Sequence, residues 1–515
     1  RAALGIVDVT AADDIGQLPD KNVAEAVERL PGVGVQYDQG EGRYVAVRGV
    51  PSSLNGYTLN GFEIGNPDGN TRALPLDIVS GQLLNRIEVA KVKTADLTGQ
   101  GIGATINLVT QTAFDFDNPF VVQANAQVGW QELRKSDKPI RGDVTVGGRF
   151  GADEQFGILL GASYSDRTYT SYGLYPDDWT PDAEAARGAT PVNIKYTDYR
   201  LKRERIGASG SFDWRSDATQ LYIRGVYSKF TEDEYRQRFR LDFSNIDWDA
   251  NGMTGIASTS EQRSDLRLEY KEKSILSFMA GGSTEFDDKW KLDFGAARTR
   301  NEVIEPNELW QFRGNPGAVA VDFTDKLFTA TPVKGYLSPS DLGFRQYTAQ
   351  DEYGLEKTWQ ARADLTGKLP GIGENSFVKF GANARWTDKS FDSANASYGR
   401  GSSANRFTLA DLNGADVTVK ASDGRTYYIA PTIDADLIRA YTEGRLGGAQ
   451  FVLNEATTLA NETLNDFALQ ENVFTGYAMT NLDFGSVAVT AGLRVERTEL
   501  DIDGYLLTSS TVTPI

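Results

Sequence analysis

From Phe120 onward the chain is dominated by long segments in which apolar and polar residues alternate, and few architectures accommodate so much of that pattern. In VVQANAQVGW, Val122, Ala124, Ala126, Val128 and Trp130 share one face, and Gln123, Asn125 and Gln127 the other. DVTVGGRF sets Val144, Val146, Gly148 and Phe150 against Asp143, Thr145, Gly147 and Arg149. SVAVTAGLRVERT does the same with Val487, Val489, Ala491, Leu493 and Val495 against Arg494 and Glu496. In a soluble sandwich the apolar face is core; in a membrane barrel it meets lipid, and the polar face lines a wet lumen. The connections decide between them. Short turns at 151–154, 215–218, 286–289, 370–375 and 484–485 alternate with long links near 131–139, 167–198, 244–259, 304–356 and 389–471. Alternation of that kind belongs to transmembrane barrels, whereas loops above about 15 residues are uncommon in compact soluble domains. Counting gives about 11 strands, the last from Ser486 to Leu500, half of the 22 used by the largest plugged barrels. An odd, open sheet leaves unpaired edges in lipid, so the reading predicts about 11 of an expected 22 strands, in a chain that continues past both ends.

Composition narrows the function classes. There is no Cys and no His, which removes thiol nucleophiles, disulfides, Ser-His-Asp triads and the commonest transition-metal ligands together. The chain is therefore read as no enzyme. Its net charge of -18 argues against nucleic acid as a partner. Aromatics are plentiful (25 Phe, 22 Tyr, 8 Trp), as strands and interface belts require. No apolar run approaches the roughly 18 residues of a membrane helix, so any crossing is made by strands. The sequence opens at Arg1 without a charged start or apolar leader segment, as expected where a signal peptide has been removed or the sequence is a fragment.

The first 115 residues differ in character. Asp20 precedes KNVAEAVERL, where Val23, Val27 and Leu30 share a helical face, predicting a capped helix of about ten residues ended by Pro31 and Gly32. Strands are expected at Val33–Gln36, Tyr44–Arg48, Tyr57–Leu59, Asn85–Val92 and Ile106–Thr110, with a second short helical stretch at Leu74–Leu84. Gly99, Gly101 and Ala104 match the spacing of a dinucleotide fingerprint, but INLVT after them is β-branched and reads as strand where that site needs a helix N-terminus. The glycines are read as a tight turn between strands. The chain thus divides into 1–115, a mixed α/β plug domain, and 116–515, the N-terminal half of an all-β antiparallel transmembrane barrel with long outer loops.

LPGV at Leu30–Val33, VRG at Val47–Gly49, LNG at Leu59–Gly61, RIEV at Arg86–Val89 and GQGIGATINLVT at Gly99–Thr110 occur in one order and spacing, and together they resemble the plug domain of TonB-dependent outer-membrane receptors. The opening DDIGQLPDKNVAEAVERLPGV is similar to the subgroup associated with oligosaccharide and nutrient uptake. Ala104 departs from a Gly-Gly pair usual in the family, Ala90, Lys91 and Val92 replace an Arg-Gly-Pro, and no TonB box is present in the sequence. The resemblance implies a protein of the bacterial outer membrane, embedded in its lipid and energised by the TonB-ExbB-ExbD complex, that imports a small-molecule or oligosaccharide ligand without covalent chemistry. An oligosaccharide is the first expectation, a ferric siderophore the alternative, and a surface adhesin or assembly component the reading from another class. Haem is disfavoured, since no imidazole is available to its iron.

The resemblance also makes Arg48 the plug arginine and Glu496 a wall glutamate, expected to pair bidentately and couple plug to barrel. Tyr172, Tyr175, Trp179, Trp310 and Tyr347 lie in the long links, where aromatic faces suit stacking on sugar rings. Asp247, Asp249 and Asn251 carry the opening spacing of a calcium loop, but Ser258 stands where a Glu is required, leaving at most a weak calcium site and otherwise no cofactor.

Overall fold

The computed structural model describes all residues except 1–4, 12–21, 70, 135–136, 421–423, 509–510 and 515. Eleven long strands follow one another in chain order, each antiparallel to the next. They are β8 (Phe120–Val128), β9 (Ile140–Phe150), β10 (Phe156–Pro181), β11 (Ala189–Arg215), β12 (Thr219–Trp248), β13 (Thr254–Phe286), β14 (Trp290–Gly314), β17 (Gly343–Lys368), β18 (Phe377–Arg400), β22 (Phe467–Asp483) and β23 (Ala488–Asp503). Among the described residues β8 and β23 each pair on one side only. The helices described are too short and polar to cross a membrane; the strands are the spanning elements.

The expected alternation is present. Ile158, Leu160, Ile223, Phe278, Leu493 and Val495 are exposed on the outer face. Phe150, Phe212, Phe286, Phe294 and Phe380, near the short turns, form one exposed aromatic girdle, and Tyr164, Tyr353, Trp359 and Trp386 a second above it. The inner face carries the plug.

Several links expected to be loops are strand instead. β12 has 30 residues and β13 has 33; at about 3.4 Å per residue each is roughly 100 Å long, against an apolar band of about 25 Å. The strands therefore project far beyond the membrane. Tyr172, Tyr175 and Trp179 lie on β10, Trp310 on β14 and Tyr347 on β17. The segment 315–342, with β15 (Val319–Asp322) and β16 (Thr329–Pro332), and the segment 401–466, with β19 (Val417–Lys420), β20 (Thr426–Ile429), β21 (Phe451–Leu453) and two short helices at Ala435–Thr442 and Glu455–Thr463, fold against the projection.

In the plug, β1 (Val7–Ala11), β6 (Leu84–Ala90), β7 (Thr105–Thr110), β4 (Gly56–Leu59) and β5 (Phe62–Glu63) form a sheet in that order, with β4 and β7 parallel. β2 (Val33–Asp38) and β3 (Glu41–Val47) make a separate hairpin. Helix α1 is Val23–Val27, half the expected length, and its cap is Asn22, whose side chain accepts from Glu25 N–H at 3.1 Å; Asp20 lies outside the described residues. The Leu74–Leu84 stretch holds only a single 3-10 turn at Gly81–Leu83. Its leucines point into the core without helical periodicity, because Leu74, Leu76, Ile78 and Leu84 are all buried. After the glycines comes strand β7, as read from INLVT. Gly101 has φ +77°, and a Cβ there would stand 2.1 Å from Gly56 N, so this turn admits glycine alone.

Candidate functional site

The plug touches the inner face of the wall from β10 round to β23, and its strongest bond to the wall involves a residue the sequence did not single out. Glu41 follows the tight β2–β3 turn, where Gln39 and Gly40 have φ of 50° and 88°. Its carboxylate is 1% exposed. Arg203 and Arg205 of β11 reach it at 2.9 and 2.8 Å, and Arg167 of β10 completes the ring. Arg203 also pairs with Glu232 and donates to Gln39, which in turn donates to Glu234 at 2.7 Å. Burial opposes ionisation of Glu41, but the three guanidiniums outweigh it and hold its carboxyl far below the usual range. A depressed carboxyl stabilises the fold above its unfolded pKa, and that contribution is lost only as pH falls through the low folded value. Asp77, buried beside the same arginines, shifts upward, because there burial exceeds the pull of Arg43 and Arg205. The signal for this site was legible: RLKRERIG puts Arg203 and Arg205 on the lumenal face of one strand.

Further round the wall the contacts are polar and spread out. Lys273 binds Asp68 at 2.6 Å, Lys389 donates to the Asn66 and Asp68 carbonyls at 2.7 Å, Arg385 meets Glu63 at 3.0 Å, and Lys379 meets Asp96 at 2.6 Å.

The expected Arg48–Glu496 pair is not formed. Arg48 has φ 55°, and its guanidinium donates to Gly103 O at 3.2 Å. Glu496 accepts from Gly99 N–H at 3.3 Å and is held by Arg494 on its own strand. The glycine turn 99–103 lies between the two, so each grips one end of it. Glu496 does reach the plug, but through a backbone amide.

Above the plug the two faces of the strands diverge. Along β12 the lumenal side chains are Glu232 and Glu234 at plug level, then Arg236, Arg238 and Arg240, then Asp242. The register sets Arg240 opposite Arg263 and Arg263 opposite Arg313 across three strands, and Arg236 opposite Arg267. Like charges directly opposed in a sheet are destabilising. Asp242 and Glu261 bridge the upper row, with Arg240–Asp242 at 2.6 Å and Arg313–Glu261 at 2.8 Å. Arg267 takes Glu234 at 2.6 Å and Glu269 at 3.0 Å. Arg236, 7% exposed, has no carboxylate partner among the described residues. Tyr199, opposite Arg236, and Tyr175, opposite Lys195, share this face.

On the other face the aromatics expected to greet a ligand are used for packing. Trp310 is fully buried; it stacks on Tyr347 at 4.9 Å and donates to Thr442 Oγ1 at 3.0 Å. Both belong to a cluster with Leu266, Ile433, Ile438 and Phe451, roofed by the 401–466 segment. Tyr172 packs on a second cluster around Phe239, Leu241 and Val321. Trp179 is half-exposed against the Phe328 edge, whereas Tyr175, on the lumenal face, lies over Gly173. These residues are therefore not one platform.

The calcium spacing is a hairpin turn. Asn251 Oδ1 accepts from Met253 and Thr254 N–H at 2.8 and 3.0 Å, Asp249 accepts from Thr254 Oγ1 at 2.5 Å, and Asp247 is on β12 opposite Ile256. Their oxygens serve the turn and do not converge. Glu232, Glu234 and Glu269 do converge, but each is neutralised by Arg203, Arg267 or Lys271.

Residues 1–105 match the family described as TonB-dependent Receptor Plug Domain. The ferric-pyoverdine 358 receptor of Pseudomonas putida is 26% identical over 263 residues, 48% of this chain and 31% of that receptor. The ferrichrome receptor of Yersinia enterocolitica is 30% identical over 240 residues, 42% of this chain and 29% of its own. A solved structure of the ferric enterobactin receptor of Pseudomonas aeruginosa aligns over 99% of this chain and 91% of its own at 10% identity, with a TM-score of 0.35, too low to bear on function. The chain belongs to the TonB-dependent outer-membrane receptors, with a plug and part of a barrel wall, and it spans less than a third of the two receptors it matches in sequence.

Proposed function

We infer that residues 1–115 are the plug and 116–515 part of the wall of an importer that carries an anionic ferric siderophore across the outer membrane, energised by the TonB-ExbB-ExbD complex. The observation that carries the choice of ligand is the lumenal arginine wall, above all Arg236, buried opposite Arg267 without a carboxylate of its own. A ferric chelate with carboxylate or catecholate oxygens at its surface supplies the missing negative charge and accepts charge-assisted hydrogen bonds there. Both sequence relatives are named for iron chelates, ferric-pyoverdine and ferrichrome, which supports a ferric siderophore over a sugar. An oligosaccharide is less well served, because Trp310 and Tyr347 are committed to an outer hydrophobic cluster.

The test is uptake of radiolabelled iron, as a panel of anionic ferric chelates, by cells expressing the full receptor. Import that stops when the proton gradient is collapsed supports the reading. Binding without energy-dependent uptake would favour an adhesin, and uptake of neutral oligosaccharide with no iron import would restore the sugar reading.

A further inference from the structure

The two sides of the plug are held by different physics. Toward β12–β14 the plug and wall share one buried apolar cluster, in which Val226, Phe230, Ile275, Met279 and Ala297 of the wall pack with Leu59, Ile78 and Leu108 of the plug. The Glu41 ring lies on the same side, on β10 and β11, together with Ser80 Oγ at 2.7 Å from Ser163 Oγ and Ser228 donating to Ile78 O at 2.8 Å. Among the described residues no side chain of β17, β18, β22 or β23 joins that cluster. On their side a cavity of about 460 Å3 separates plug from wall, lined by Arg72 and Gln100 of the plug and Glu356, Arg385, Lys389 and Glu471 of the wall. Parting the apolar side exposes hydrocarbon at about 25 cal/mol per Å2 and strands a buried carboxylate. Parting the polar side breaks part-buried ion pairs such as Arg385–Glu63 and Lys379–Asp96, whose groups water in the adjoining cavity can resolvate, and it uncovers no shared apolar cluster.

We propose that the substrate passes the plug through this β17–β22 crevice while the plug stays fixed to β10–β14. The route is widened by displacing the stretch 65–69, which gives up its Asp68–Lys273 and Gly65–Asn301 bonds, and the glycine turn 99–103, while Phe62 and Ile64 stay in the apolar cluster. The charges lining the crevice are of both signs, with Arg385 held between Glu63 and Glu471. Such a lining hands an anionic chelate on without trapping it, whereas the arginine wall above retains it.

This inference rests on the import reading, and the chain's lack of cysteine makes it testable by cross-linking. Ser80→Cys with Ser163→Cys locks the fixed side. Gly65→Cys with Glu356→Cys locks the crevice, since a Cβ on Gly65 would lie 2.3 Å from Glu356 Cδ, which is two bonds from Glu356 Cβ, so the two Cβ atoms come within reach of the roughly 4 Å of a disulfide. In the full receptor, the crevice cross-link is expected to cut iron uptake at least tenfold and reductant to restore it, while the Ser80–Ser163 cross-link leaves uptake within twofold. Block by the second cross-link, or normal uptake through the first, overturns the proposal. A second readout is independent of ligand: Gln100→Cys should gain labelling by an impermeant maleimide severalfold in energised cells, and Ser228→Cys should not. If the reduced variants import no ferric chelate, the import reading has failed and labelling alone judges the route; equal labelling at both positions, or at neither, then rejects it.

Discussion

On β12, Arg236, Arg238 and Arg240 face the lumen, while Tyr235, Gln237 and Phe239, each one residue away, face the other side and are covered by folded segments. Strand alternation guarantees the separation; what differs is how each face is satisfied. The outer face is closed by chain: Gln237 exchanges hydrogen bonds with the Ile433 backbone, and Trp310 is enclosed by the 401–466 segment. The lumenal face is closed at plug level, where Glu41 answers three arginines, and above it Arg238 and Arg240 are paired while Arg236 is left without a carboxylate. One face is finished in the folded protein, and the other is finished by what it binds.

The sharpest way to break this contrast is Glu41→Ala. It strands three guanidiniums, and a loss of about 3–5 kcal/mol is expected, read as a lower denaturation midpoint for the plug. An unchanged midpoint would mean the ring does not anchor the plug. Trp310→Ala on the outer face is expected to cost a similar about 3–5 kcal/mol while leaving ligand affinity unaltered; equilibrium binding to the surviving folded fraction checks this, and lost affinity would put the residue at the ligand. Arg236→Gln should do the reverse, weakening binding of an anionic ferric chelate ten- to hundredfold, about 1.5–3 kcal/mol for a charged hydrogen bond, and leaving thermal stability the same or higher.

A smaller effect concerns Lys93 in the plug. Burial, aided by the Arg494 charge, pushes its ammonium down to about 8. Between about pH 8 and the unfolded value near 10.4 the unfolded chain holds a proton that the folded one has released, so stability rises with pH across that window. Thermal unfolding of Lys93→Met measured against pH should lack this rise. Smallest of all, chelating calcium should shift neither binding nor melting, because Asn251 and Asp249 already serve their own turn.

Much of this architecture was legible because it follows from alternation. The eleven strands, the short turns and the strand after the glycines all came from period-two patterning and β-branching. Strand lengths did not, since a strand that leaves the membrane and is then covered by other segments keeps its alternation but loses the apolar-out rule; YTSYGLYPDDW therefore read as loop and is β10. Trp310 and Tyr347 read as ligand platforms for the same reason, because sequence does not say which segment covers an aromatic face. The Arg48–Glu496 pair misled because a side-chain match does not fix direction: with φ 55°, Arg48 turns onto Gly103. Glu41 was hidden as one acid in a turn, although its partners stood in RLKRERIG.

The most direct test of the account is to compare, on the purified receptor and its Arg236→Gln variant, equilibrium binding of an anionic ferric chelate and a neutral oligosaccharide at low and high salt. The account predicts chelate binding that weakens with salt and drops at least tenfold in the variant, and no oligosaccharide binding. Salt-independent binding of the oligosaccharide, unchanged by Arg236→Gln, would contradict it.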